Sequence, residues 1–381
     1  MEIFREIVEE SFSELKDHRR PEGQRHPFIN LIVICVCAVI ANAESEKDIY
    51  EYGKAKQEWL GIFLDLKYGI PSESTFKRFL GVINSEQLEK CFIEFTKRLS
   101  VSKQGEHIAI DGKTLRSSYD HTKEQSAIHM LSALATEYGI TLAQIKINDK
   151  SNEITAIPGL IDMLNIEDTV ISMDAMGTQK SIAKQIIDKK GDYVLALKSN
   201  HSNFYDEVEN FFKQAKELDF HNVECKHKRT TDKGHGRIEE REYIVCSADD
   251  KNISEKEKWK GIQSIISTTT TRYEIVENKT STETRFFISS LSLSNIEKIA
   301  TAIRSHWGIE NSLHYVLDVT FGEDDSRIRV GNAAENFSVL RRLALNILRS
   351  DKSKGSIRTK RLRASWDNSF MEKLLINCKG E

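Results

Sequence analysis

Three carboxylates, Asp111, Asp174 and Glu310, give this sequence the means to do chemistry. Asp111 closes the short apolar run HIAID and Asp174 closes TVISMD; runs of this length and texture read as strands, so both acids are expected at strand ends. Glu310 lies in the stretch Ile299 to Glu335. There Ile296, Ile299, Ile303, Trp307, Leu313 and Leu317 recur at three- and four-residue spacing, the period of an amphipathic helix. A helix turns about 100° per residue, so Glu310 is expected on the inward stripe with Ile303 and Trp307. A carboxylate facing a core is costly unless it is paired or holds a metal. An Asp beside a Gly at a strand end is often only a turn former. Two acids at equivalent strand ends and a third on a later helix form a constellation that turn chemistry does not cover. Converging carboxylates repel unless divalent cations lie between them, and oxygen-only ligation favours Mg²⁺ or Mn²⁺ over Zn²⁺. Two such ions can activate a water and stabilise the leaving oxygen of a phosphodiester.

The elements that must position these residues follow from the pattern along the chain. Residues 1–100 read as helical. IFREIVEESFSEL has helix spacing, Pro27 opens a buried helix from Phe28 to Ala43, and Ser72 caps a helix whose inner face is Phe76, Phe79, Leu80 and Ile83, with Lys77 and Arg78 outside. SEQLEKCFIEFTKRL packs behind it. Short helices with an outward basic face could form a helix-turn-helix DNA reader or an ordinary bundle. From His107 the order becomes three strands, helix, strand, helix, strand, the second and third strands turning around Tyr138 and Gly139. That order belongs to a mixed α/β sheet, whose sites gather beyond the carboxyl ends of the strands. Between about 200 and 285, EEREYIVCS, IQSIISTTTT and TRFFISSL are rich in β-branched and aromatic residues and predict a β-rich insertion. Its segment KRTTDKGHGRIEER reads as a basic loop.

With 381 residues the chain is long enough for two or three structural units. Its net charge of -3 excludes a uniformly basic nucleic-acid coat. Between Arg327 and Arg363, however, eleven Lys or Arg face two acids, which suits a phosphate-facing surface or a solvated tail over 351–381. The six cysteines form no CxxC pair, and the apolar run from Phe28 is short for a bilayer. A reduced, cytoplasmic protein without membrane attachment is expected, associated with the bacterial nucleoid when bound to DNA.

The stretches AIDGKTLRSS, ISMDAMGTQK, DYVLALKSNH, KGHGRIEERE, RSHWGIENSLHYVLDVTFGEDDSRIRVGNAAEN and RRLALNIL resemble the insertion-sequence transposases of the H-repeat-associated (ISAs) group, within the IS-four-like set of DDE transposases. They spread from about Phe28 to Leu348. The resemblance implies an RNase H-like catalytic core over 101–350, a β-rich insertion, and a DDE triad that falls on Asp111, Asp174 and Glu310 as Mg²⁺ ligands. It departs from the Tyr, Arg, Glu, Lys signature of the wider set, because Ile303, His306 and Leu317 stand where the Tyr, Arg and Lys would be. Arg304, His306, His314, Arg327 and Arg329 are the candidate replacements for phosphate contact, together with Lys113 and Arg116 of the first motif. The implied function is metal-dependent cleavage at the terminal inverted repeats of an insertion sequence, followed by strand transfer into target DNA by a homodimer. The N-terminal helices of 1–100 would recognise the repeats. A DNA-binding protein that has lost catalysis is the alternative. Gly112, Lys113 and Thr114 look like the end of a nucleotide-binding loop, but His107 stands where that loop needs a Gly.

Overall fold

The computed structural model describes residues 1–19, 24–99, 107–119, 126–147, 152–221, 223–234 and 236–379. In chain order the helices α1 (Glu2–Ser11), α2 (Phe28–Ile40), α3 (Glu46–Ala55), α4 (Gln57–Leu60), α5 (Glu73–Val82) and α6 (Ser85–Leu99) come first. Strands β1 (His107–Thr114), β2 (His129–Ala135) and β3 (Ile140–Ile147) follow, then α7 (Glu153–Asp162), β4 (Val170–Met173), α8 (Lys180–Asp188), β5 (Asp192–Leu197) and α9 (Ser202–Glu217). Four long strands come next, β6 (Cys225–Gly234), β7 (Arg237–Ser247), β8 (Ser264–Glu274) and β9 (Lys279–Ser289). The chain closes with α10 (Ile296–His306), a π-helical turn (Ile309–His314), α11 (Tyr315–Phe321), α12 (Ala333–Ser350), α13 (Ile357–Trp366) and α14 (Asn368–Ile376).

Two compact units share these elements. The first is built from Met1–Gln104, Gly112–Asn152 and Ile309–Glu381, the second from Gly105–Asp111 and Glu153–Gly308.

The first unit is organised around α12, which buries fifteen of its eighteen residues. Helix α2 lies against it and buries eleven of thirteen, so the run FINLIVICVCAVI, apolar but for Asn30, is a core helix, as its length indicated. Its cysteines Cys35 and Cys37 are buried free thiols. The Ser72 side chain caps α5 by accepting from the Thr75 amide, and Phe76, Phe79 and Leu80 turn inward while Lys77 and Arg78 stay exposed. The β2–β3 hairpin packs on α6 and α12, its turn made by Gly139 at φ +67.

The stretch expected to be a solvated basic tail is instead α13 and α14, folded into this unit. Lys360 and Arg361 are buried, as are Arg341 and Arg342 of α12. Each has a partner from the unit. Lys360 donates to the Leu348 carbonyl at 3.1 Å, Arg361 donates to the carbonyls of Thr320 and Val39 and stacks on Phe321, and the Arg341 guanidinium stacks on Phe337. Charge counting along the sequence misread this stretch because it could not see which residues of α12 and α13 face inward.

The second unit carries a mixed sheet in the order β1-β4-β5-β9-β8-β7-β6. β1, β4 and β5 run parallel, and the rest pair antiparallel. Helix α10 covers the face that carries Val170 and Val194, burying Ile299, Ala300, Ala302 and Ile303 there. The insertion after β5 opens with an unanticipated helix, α9, whose buried Phe204, Val208, Phe211 and Phe212 are spaced as one helical face. The strands β6–β9 follow, and β9 returns to pair with β5 from Val194↔Ser289 to Leu197↔Phe286. The basic segment KRTTDKGHGRIEER is not a loop but the end of the β6–β7 ribbon, paired through Gly234↔Arg237; its His235 lies outside the described residues.

Gly331 shows how tightly the first unit closes. It sits at φ +54 just before α12, and a Cβ there would stand 2.3 Å from the Gly81 carbonyl oxygen of α5. Gly331→Ala is therefore expected to cost about 1–3 kcal/mol, read as a lower denaturation midpoint at unchanged slope in a chemical unfolding curve.

Candidate active site

Asp111 and Asp174 occupy equivalent places on neighbouring strands. The parallel register of β1 and β4 runs from His107↔Val170 to Ile110↔Met173, so these acids are the next residue on each strand. Neighbouring strands lie about 4.8 Å apart, which puts the two carboxylates within reach of one cation. Both are partly buried. The turn-forming role of Asp174 is also present, because its Oδ1 accepts from the amides of Met176 and Gly177 at 3.0 and 3.1 Å. That bond fixes the carboxylate plane and employs only one of its two oxygens.

Glu310 departs from the expected geometry. Helix α10 stops at His306, Trp307 is exposed, and Glu310 is an exposed residue in the π-helical turn of the first unit. A period of about 100° per residue no longer applies once the backbone widens into a π-turn, and the buried positions there fall on Ile309, Leu313 and Leu317, leaving Glu310 outside. π-turns are often found at functional positions. Among the described residues no three His, Cys, Asp or Glu side chains are grouped to hold a metal ion. The aspartate pair nevertheless fits a hard divalent cation, since it offers carboxylate oxygens, with neither Cys nor His between them.

Three polar residues beneath the strand ends were not all anticipated. Ser172 Oγ lies 2.7 Å from His107 Nε2 and 2.8 Å from His306 Nδ1. Burial pushes the His107 imidazole down to about 3, helped by the charge of His306. Burial pushes His306 down to about 4, opposed by the negative charge of Asp174. Both rings are neutral at physiological pH. Of the three, the sequence singled out only His306, as a candidate for phosphate contact. The hint for the others was a His and a Ser placed at even spacing before a strand-end Asp.

The basic candidates divide by exposure. Arg116 has an 83% exposed side chain and touches Asp324 at 3.4 Å; Arg304 is half exposed and 3.4 Å from Asp232; Arg327 is exposed. Arg329 donates to the Ser117 carbonyl and lies over the Tyr119 ring. Arg327 and Arg329, with Lys77, line a cleft of ≈ 480 Å³ whose other side carries Glu44, Glu46 and Asp48.

Lys113 and His314 depart from the expectation that they face DNA. Lys113 is buried, and its ammonium lies 2.6 Å from Asp318, 2.8 Å from Asp324 and 3.5 Å from Glu323. Glu323 is wholly buried and also pairs with Arg342 at 2.9 Å, while Arg342 reaches the Ser338 hydroxyl. Burial alone would raise the Glu323 carboxyl, but the charges of Arg342, Lys113 and Arg341 hold it down to about 2. Burial likewise favours a neutral Lys113, yet the charge of Glu323 and the hydrogen bonds the ammonium donates to Asp318 and Asp324 hold its pKa up. His314 is buried beside this cluster, and burial with the charges of Arg342 and Lys113 pushes its imidazole down to about 3.

With this geometry in hand, similarity to known proteins identifies the class. Residues 102–347 match the family model described as "Transposase DDE domain", and residues 9–96 match the "DDE_Tnp_1-associated" model. The chain is 40% identical over 96% of its length to the "H repeat-associated putative transposase YhhI" of Escherichia coli K12, covering 97% of that protein. It is 39% identical over 96% of its length to the "Putative transposase YncI" of Escherichia coli O157:H7, covering 93% of it. A cryo-EM structure of the piggyBac transposase synaptic complex with hairpin DNA aligns with a TM-score of 0.46 at 11% identity, over 99% of this chain and 79% of that one. The chain carries a DDE transposase domain, built on a mixed sheet that a β-rich insertion extends. Within that class the chain belongs to the H-repeat-associated group.

The Glu323 cluster sets a pH dependence of stability. A folded pKa of about 2, below the usual carboxylate value of about 4.3, means that its contribution is complete above that value and is lost as pH falls through about 2. The slope of unfolding free energy between pH 5 and 2 is expected to be shallower in Glu323→Gln than in the parent. Lys113→Met, which removes the buried cation shared by Asp318, Asp324 and Glu323, is expected to destabilise by about 3–5 kcal/mol at pH 7. Denaturant unfolding across that pH range checks both.

Proposed function

We propose that this transposase cleaves DNA at the ends of its insertion sequence by metal-assisted phosphoryl transfer, and that the freed 3′-hydroxyl then attacks target DNA. The observation that carries the reading is the placement of Asp111 and Asp174 one residue beyond the last register pair of two parallel strands. The two carboxylates would hold Mg²⁺, with Mn²⁺ as a substitute, and Glu310 would be the third acid of the triad that the resemblance implies. A bound divalent ion would supply Lewis acidity, lowering the pKa of water and stabilising the leaving oxygen. The protein's own part is to hold its oxygens at fixed positions. Asp174 does so through the Met176 and Gly177 amides.

DNA would be gripped by the exposed Arg116, Arg304 and Arg327 and the half-buried Arg329 as the phosphate contacts; Lys113 and His314 are left out because they are buried. Helix α5, with Lys77 and Arg78 projecting from a Ser72-capped start, would read the terminal inverted repeats. Two ends must be held together for transfer, so the active species would be a homodimer on DNA.

Asp111→Asn, Asp174→Asn and Glu310→Gln are each expected to abolish Mg²⁺- or Mn²⁺-dependent nicking of the element's flanking DNA while leaving its binding in place. Nicking at the parent rate by all three variants would overturn the assignment. Lys77→Ala with Arg78→Ala is expected to weaken end binding and to lower the slope of log K against log salt by about 1 for each phosphate no longer neutralised. Binding titrations at several salt concentrations check this.

A further inference from the structure

The strand that contains Asp111 and the strand that leads into Asp174 each carry, on the same face as the aspartate, one member of the hydrogen-bonded His107, Ser172 and His306 chain. His107 is four residues before Asp111 on β1, and Ser172 is two before Asp174 on β4, so the period of two puts each with its aspartate. The residue opposite Ser172 is Ala109, whose small side chain leaves room for the His107 ring to reach across. The third member, His306, comes from the last turn of α10, one turn beyond Ala302, which packs on the same face near Val170.

A hydroxyl has one proton. Set between two imidazole nitrogens, Ser172 donates to one ring and accepts from the other, so the tautomers of His107 and His306 are coupled through it. The three side chains thereby fasten β1, β4 and the end of α10 to one another at a single buried oxygen. His306 also feels the charge of Asp174, which places it in the electrostatic surroundings of that carboxylate.

We propose that Ser172 and His306 are positioning residues for Asp174, a tether that holds strand β4 and helix α10 in the one arrangement in which the aspartates can share a divalent ion. The tether presupposes the metal-binding reading of Asp111 and Asp174. It gives His306, which stands at the position of the signature Arg, a task inside the protein, and leaves phosphate contact to the exposed arginines. Supporting residues of this kind, behind the ligands themselves, typically change metal affinity or activity 10- to 100-fold when removed.

The test compares the full chain with Ser172→Ala, His306→Leu, His306→Asn and Asp174→Asn. Mn²⁺ binding is titrated by calorimetry without DNA, the Mg²⁺ concentration that half-saturates nicking of flanking DNA is measured, and thermal melting is followed alongside. Ser172→Ala removes one oxygen and serves as the variant least able to disturb folding. Ser172→Ala and His306→Leu are expected to weaken Mn²⁺ binding and raise the half-saturating Mg²⁺ by about 10- to 100-fold. His306→Asn, which keeps a polar atom near the place of Nδ1, is expected to recover most of that affinity. Parent-like metal binding in Ser172→Ala and His306→Leu, beside an inactive Asp174→Asn, would overturn the tether alone. Equal weakening in His306→Asn and His306→Leu that tracks an equal fall in melting temperature would do the same, reducing the chain to ordinary packing. Parent-like binding and nicking by Asp174→Asn would overturn the carboxylate reading and the tether with it.

Discussion

A charge taken out of water must be met by an opposite charge or by oriented dipoles, and much of this molecule is arranged by that requirement. The first unit buries Lys113, Glu323, Arg341, Arg342, Lys360 and Arg361. None could be there unless the others, or the carbonyls and rings beside them, were in place. Glu323 between Lys113 and Arg342 is the clearest case, because it joins the strand-end segment after Asp111 to the long central helix. Such a cluster adds little net stability compared with a well-packed apolar core, but it is severe towards wrong arrangements. Register is what it enforces.

The same economy separates the two units. In the second, the buried polar groups near the strand ends are neutral: two imidazoles held far below physiological pH and one hydroxyl. Neutral donors and acceptors can be packed under a carboxylate pair without contributing a counter-charge that would compete with a cation. A lysine or arginine in the place of His306 would supply such a charge. The composition of the polar layer therefore matches the electrostatic task assigned to the aspartates above it.

How much of this was legible in the sequence follows from the range of the interactions. Strands β1 to β5 with their helices, the buried helix α2 and the Ser72 cap follow from period and turn chemistry, which act over a few residues. Asp111 and Asp174 stood out for the same local reason, as acids closing apolar runs, although β1 continues past Asp111 to Thr114 while β4 stops at Met173. Glu310 was located by motif, but its surroundings were misjudged, since a π-turn breaks the periodicity used to orient it. The burial of Lys113, and of α13 and α14 with their arginines, depends on partners more than two hundred residues away in some cases, and no local pattern reports such a partner. The helix α9 was legible in its phenylalanine spacing and was overlooked because the surrounding composition is that of strands.

The chain passes between the two units four times. Neither unit is a continuous stretch, and the first is finished only by its last segment, Ile309–Glu381. During synthesis, α2 emerges early as a helix apolar on every side, and its packing partner α12 leaves the ribosome some three hundred residues later. At about 5–20 residues per second that interval is tens of seconds, during which an oily helix has only its early neighbours α1 and α3 to rest on. Loop closure over such a separation is slow, so the face of α2 that awaits α12 is the apolar surface an unfinished chain leaves uncovered longest.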